Sequence, residues 1–383
     1  MSESRLFKPL KIGNMEVKHR IGMAPLTRLR AAADRVPSPL MKEYYSQRAS
    51  VPGTLIISEG TFVSAAACGG FHGAPGIWSA AQIAAWRTIT DEVHRRGSYI
   101  FCQIAAFGPA ADAATAAREG VEVTGPSAIA TPGEGHVVPR PMTVEEIRRS
   151  VGEFATAARN AVEGAGFDGV EIHAANGYLV DTFIQDTSNR RTDAYGGSVE
   201  NRSRFVDEIM EAAVEAVGAE RVGLRLSPWS TFQGMGMVDP VPQFADVIRK
   251  ARGRELAYLH LVESRIAGAE EVEGGERLDF AYAIWDRPIL LAGGFRAANA
   301  RSLVDEEYPD KDIVILFGRY FISNPDLVYR IQKGLALSAY DRDTFYTSLA
   351  AGYVDYQFSP EYQPGRISRL GWLRLRFVHI SFD

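Results

Sequence analysis

The stretch "GVEIHAANGYLVDTF", residues 169–183, opens as a strand and then loses its rhythm. Val170 and Ile172 alternate with Glu171 and His173, the period of two that an extended chain with two different faces produces. At Asn176–Gly177 the alternation stops. By then an imidazole, an amide and a phenol (His173, Asn176, Tyr178) have arrived within a few residues of the strand end. Two readings fit these residues alone: a turn satisfied by its own side chains with Tyr178 as packing, or three donors delivered to a site.

The plan of residues 169–183 recurs along the chain. Short β-rich runs ending in Gly or a polar residue stand at "HRIGMAP" (19–25), "GTLIISEG" (53–60), "YIFCQIAA" (99–106), "RVGLRLS" (221–227), "YLHLVES" (258–264), "PILLAGGF" (288–295) and "DIVILFGR" (312–319). With 169–176 they make eight strands, several almost continuously apolar, as strands of a parallel sheet covered on both faces should be. The segments between them carry helical spacing. Ile83, Trp86, Ile89 and Val93 share one face of 79–97, and Phe205, Ile209, Ala213 and Val217 one face of 198–218. Thr143 with Glu146 three residues on forms a capping-box signal at the start of 143–166. Eight strand–helix units predict an α/β fold, a (β/α)8 barrel. The opening segment 7–20 reads as a hairpin turning at Gly13–Asn14, placed to cap the barrel bottom. No linker or composition break divides the chain, so residues 1–383 are expected to form a single domain. The ending "GWLRLRFVHISFD" alternates apolar and basic residues, which fits an edge strand, a partner-contacting arm or a loosely ordered terminus.

Composition narrows the class of function. The chain has 383 residues, 46% hydrophobic and 23% charged, with a net charge of −5. Such a balance supports a large core and offers no clustered basic surface for a nucleic-acid backbone. Two cysteines, Cys68 and Cys102, cannot build a disulfide framework and have no metal-ligand spacing around them. With no signal-length or membrane-length apolar run, a cytoplasmic enzyme is the expectation.

In a barrel of this kind the chemistry sits at the C-terminal ends of the strands. Read in order, those ends carry Pro25, Leu26 and Thr27; Glu59 and Gly60; Gln103; His173, Asn176 and Tyr178; Arg225; Gly293 and Gly294; and Gly318 and Arg319. Glycines after strands seven and eight, followed by one guanidinium, match the place where barrels often hold a phosphate. No strand end offers a carboxylate pair for glycoside chemistry, a Schiff-base lysine or a metal cluster. Neither G-x-S-x-G nor G-x-G-x-x-G occurs. His260 has no partner visible in the sequence. A ring of neutral donors (Gln103, His173, Asn176, Tyr178 and Thr27) with Arg225 and a phosphate cradle suits a phosphorylated organic cofactor that supplies the chemistry itself.

Long ordered stretches, "MAPLTRLR", "EYYSQRAS", "GTLIISEGTF", "GVEIHAANGYL", "SNRRTDAYGGSVENRSRF", "GLRLSP", "FGRYFISNPDL" and "YDRDTFY", resemble the old yellow enzyme family of FMN-dependent ene-reductases over nearly the whole chain. Several look most like fungal members of the chanoclavine-I aldehyde reductase type, from ergot-alkaloid pathways. The resemblance implies non-covalent FMN at the barrel mouth, with NADPH or NADH as hydride donor and a small enal or enone as substrate. It implies that Pro25, Leu26 and Gly60 line the isoalloxazine, that Thr27 and Gln103 hydrogen-bond it, and that Arg225 faces its reduced form. Gly293, Gly294, Gly318 and Arg319 are implied for the phosphate. His173 and Asn176 are implied to grip the substrate carbonyl, Tyr178 to donate the proton, and Phe345 and Tyr346 to line the substrate cavity. Some relatives lacking the phenol isomerise their substrates, so a flavin-dependent isomerase or dehydrogenase without net NADPH consumption stands as the alternative. The assembly is expected to be a monomer or homodimer.

Three departures from the family pattern stand out. Ala105 occupies a position where many members carry a Trp, so the pocket is opened for a bulkier substrate unless a neighbour fills the gap. The segment 264–280 looks short for a lid after strand six. Residues 357–383 diverge from the family ending, and no role is carried over to them.

Overall fold

The computed structural model describes residues 4–267, 270–271 and 275–363. The strand expected at the C-terminal end, and part of the segment 264–280, lie outside these residues.

The eight expected strands all form, as Ile21–Met23, Leu55–Ile57, Tyr99–Ala105, Gly169–Ala174, Val222–Leu226, Tyr258–Val262, Ile289–Ala292 and Ile313–Phe317. They are numbered here as barrel strands one to eight. Every neighbouring pair is parallel, and strand eight returns to strand one, so the sheet closes on itself. Closure leaves no unpaired edge along the barrel.

Alternation within each strand sorts side chains into two separate clusters. Ile56, Ile100, Cys102, Ile104, Val170, Ile172, Leu224, Leu259, Leu291 and Ile315 pack outward against the helices, among them Trp86, Phe154, Phe205 and Phe244. Leu55, Ile57, Phe101, Leu290, Val314 and Leu316 form a second cluster with Leu10, Ile12, Met15 and Val17 of the N-terminal hairpin. The hairpin strands Leu10–Ile12 and Met15–Val17 are antiparallel, as expected, around Gly13–Asn14. A Cβ on Gly13 would lie 2.0 Å from the Glu220 carbonyl oxygen, at a φ of +52°, so only glycine lets the turn press against the barrel bottom there.

The helices begin where capping residues place them. Ser79 and Gln82 make a reciprocal capping box at Ala80–Arg95, and Thr143 and Glu146 make another at Val144–Arg159. Ser198 accepts from the Asn201 N–H at the start of Val199–Val217. Each cap of this kind contributes about 1 kcal/mol. No described helix is long and apolar enough to cross a membrane. Cys68 and Cys102 are free and buried.

Candidate active site

All sixteen residues proposed from the sequence, Pro25, Leu26, Thr27, Gly60, Gln103, Ala105, His173, Asn176, Tyr178, Arg225, Gly293, Gly294, Gly318, Arg319, Phe345 and Tyr346, line one cavity of about 1090 Å³ at the C-terminal ends of the strands. They come from seven of the eight strands or the loops after them, and from a segment beyond strand eight that is more than three hundred residues from strand one. That distant segment is fastened by two buried arginines. Arg28 Nε and Arg30 Nη1 both donate to the Phe345 carbonyl, at 3.2 and 2.8 Å. Arg28 also reaches the Gly352 carbonyl at 2.7 Å, and Arg30 the Leu349 carbonyl at 3.0 Å. Phe345 is thereby buried at the cavity wall while Tyr346 stays exposed at its rim.

The turn after strand four explains the broken alternation. Asn176 takes a left-handed backbone, φ +60°, which an Asn tolerates better than most side chains. Its N–H donates to Ser227 Oγ at 2.8 Å, and the Gly177 N–H donates to Asp181 Oδ2 at 2.8 Å. Asp181 also accepts from Gln185 Nε2 at 2.9 Å, and burial pushes its carboxyl up to about 7. Gln185 in turn accepts from the Gly236 N–H at 2.9 Å, tying the turn to the loop that carries Gln233. Tyr178 packs its ring against His173, with centroids 5.0 Å apart, and against Phe107 at 5.5 Å. Burial raises the Tyr178 phenol to about 12, so it keeps its proton over the whole working range. Burial and the nearby Arg225 charge hold His173 well below the usual imidazole range, which leaves it neutral.

The floor of the cavity differs from the expected ring of donors. Gln103 spends its NH2 on Glu171, at 2.8 Å, and so offers its carbonyl oxygen elsewhere. His260, unpartnered in the sequence reading, donates from Nδ1 to the same carboxylate at 2.8 Å. The Tyr258 hydroxyl joins them at 3.1 Å. The signal for these partners was period two: Glu171 shares a strand face with His173, and Tyr258 with His260. Leu29, Phe62, Phe71, Phe107 and Phe232 also line the cavity without having been singled out. Leu29 and Phe71 have φ of +59° and +46°, which nothing in a local pattern foretells. Ala105 sits among these aromatics, with Phe62 and Phe107 stacked at 4.9 Å.

The residues fit a phosphorylated planar cofactor. His173 Nδ1 and Arg225 Nε are buried with no hydrogen-bond partner among the described residues, a cost that a bound polar ring would remove. Gly293 and Gly294, after strand seven, have positive φ, 139° and 61°, and line the cavity together with Gly318 and Arg319 after strand eight.

Residues 5–338 match the NADH:flavin oxidoreductase / NADH oxidase family. A chanoclavine-I aldehyde reductase of Penicillium roqueforti is 52% identical, over 94% of this chain and 98% of its own. An NADP-dependent oxidoreductase of Aspergillus flavus is 50% identical, over 94% and 97%. A protein of Claviceps fusiformis described as a probable inactive dehydrogenase is 48% identical, over 94% and 97%. Among solved structures, the old yellow enzyme homologue of Zymomonas mobilis superposes with a TM-score of 0.86 at 37% identity, covering 92% of this chain and 99% of that one. Morphinone reductase gives 0.86 at 35%, covering 94% and 98%. With a closed barrel whose mouth fits a flavin, and relatives of this extent, the chain belongs to the NADH:flavin oxidoreductase / NADH oxidase family and is an FMN-dependent oxidoreductase of the old yellow enzyme type.

Proposed function

We propose that the protein is an NAD(P)H-dependent ene-reductase that reduces the activated C=C bond of a bulky α,β-unsaturated aldehyde or ketone in fungal secondary metabolism. The observation that carries this reading is the neutral Tyr178 phenol beside His173, in the same cavity as Asn176.

In this reading Pro25, Leu26, Thr27, Gly60, Gln103 and Arg225 hold the isoalloxazine, and Gly293, Gly294, Gly318 and Arg319 the phosphate. FMN, when bound, supplies the hydride chemistry, recharged by NAD(P)H. Asn176 and neutral His173 each donate one N–H to the carbonyl oxygen of the substrate. As the alkene is reduced, negative charge grows on that oxygen, and a donor aimed at it contributes on the order of 3 kcal/mol. Tyr178 holds the proton that the α-carbon needs and delivers it as general acid. Phe62, Phe107 and Phe345 keep the reacting carbons out of water. Ala105 leaves room beside this wall for a substrate larger than a small enone.

Tyr178 also separates this reading from isomerisation without net reduction. The test is product analysis against NADPH consumption, for the native protein and for Tyr178→Phe. One NADPH consumed per alkene reduced is expected, with alkene reduction slowed in the variant by roughly 10²–10⁴ and flavin reduction by NADPH spared. Product formed without NADPH consumption would establish isomerisation instead.

A further inference from the structure

Beneath the cavity lies a charged group that the reduction itself does not touch. Glu171, in strand four, is fully buried and accepts from Gln103 Nε2, His260 Nδ1 and the Tyr258 hydroxyl at 2.8, 2.8 and 3.1 Å. Gly223 makes this possible: a Cβ there would lie 2.2 Å from the Tyr258 ring. Burial works against the Glu171 charge, but His260, Arg225 and Gln103 together outweigh it and hold the carboxyl below its ordinary value. Burial lowers His260 while Glu171 raises it, and burial prevails; its Nδ1–H donates to Glu171. Glu171 is thus a buried anion that interacts electrostatically with Arg225 of the neighbouring strand.

Two consequences reach the cavity. An amide fits its site about equally well either way round, so its neighbours decide which end faces where. A carboxylate only accepts, so the Gln103 NH2 must face Glu171. The Gln103 Oε1 then points toward Gly60, where an added Cβ would come within 3.6 Å of it. Charge is the second consequence. In a buried setting of low effective dielectric, an anion on the neighbouring strand offsets part of what Arg225 offers to negative charge arriving in the cavity.

We propose that Glu171 is a positioning residue that makes Gln103 present an acceptor to the imide N–H of bound FMN, and that lowers the reduction potential of that FMN by countering Arg225. Glu171→Gln keeps the shape and removes the charge. The Gln103 amide loses its forced orientation, so the dissociation constant of FMN from the reconstituted apoprotein rises about fivefold or more. Arg225 is left unopposed, so reduced FMN is favoured about tenfold over oxidised, a shift of about 30 mV to more positive potential for two electrons. Tyr258→Phe removes one donor from Glu171 but leaves its charge, and shifts the potential the opposite way. Spectroelectrochemical titration and FMN binding, beside apoprotein melting curves, read these effects. A folded Glu171→Gln protein with native FMN affinity and native potential overturns the proposal. If that variant does not fold, Tyr258→Phe decides: a shift to more negative potential supports the proposal, and an unchanged or more positive one overturns it. Native protein purified without any flavin would instead overturn FMN binding itself, a separate failure.

Discussion

The inside of the barrel has two unlike halves. Strands seven, eight, one and two line it with Leu290, Ala292, Val314, Leu316, Ala24, Leu55 and Ile57, which join the hairpin in one apolar cluster. Strands three to six add Phe101 and the Tyr258 ring to that cluster, and beyond them carry Gln103, Glu171, His173, Arg225 and His260, linked with the Tyr258 hydroxyl by hydrogen bonds and charge. The change is abrupt between strands six and seven, where His260 and Leu290 are register partners. One half packs against the hairpin, and the other supplies polar groups at and beneath the cavity. A lopsided lining of this kind lets buried polar groups satisfy one another while the remaining interior stays packed and dry.

If that division is right, substitutions in the two halves should fail differently. The largest effect is expected from His173→Ala combined with Asn176→Ala. Each loses a donor worth roughly 10²–10³ in rate, so alkene reduction and the binding of phenolic ligands should nearly vanish while FMN remains bound. Retained phenol affinity, measured by the charge-transfer absorption, would remove both residues from the carbonyl grip. Next comes the apolar half. Leu290→Ala should cost about 2–5 kcal/mol in denaturant unfolding yet leave both half-reactions intact in the folded protein. A kinetic defect in that variant would break the division. The smallest effect belongs to the wall. Ala105→Trp should slow large enals about tenfold and spare small cyclic enones, read from kcat/KM across a size series. Equal slowing of all substrates would mean that the indole disturbs the floor rather than filling space.

Much of the site was legible because barrel chemistry collects at strand ends, and strand ends are marked locally. Gly293–Gly294 and Gly318–Arg319 close apolar runs, and Asn176–Gly177 breaks an alternation. What was not legible depends on contacts distant in sequence. Glu171 and His260 are 89 residues apart, and neither residue's neighbours encode the other. Arg28 meets the Phe345 carbonyl across 317 residues, so the fastening of the distal segment appears only in the folded chain. Gln103 was expected among groups donating to the cavity. Its orientation was decided by a carboxylate that the sequence showed only as an inward-facing position.

By itself the sequence determined the barrel, its hairpin, its helix caps and the residues at the cavity rim. Period, turn chemistry and capping are properties of neighbouring residues, and these fix local structure. Only the tertiary structure decided which polar groups pair and which are left for a ligand. Closing the sheet brings Gln103, Glu171, Tyr258 and His260 onto adjacent inner faces, and hydrogen-bond satisfaction in that buried space orients each of them. The opening stretch shows both levels. Its alternation placed Glu171 and His173 on one face, and closure made one the buried anion of the floor and the other a neutral group at the mouth.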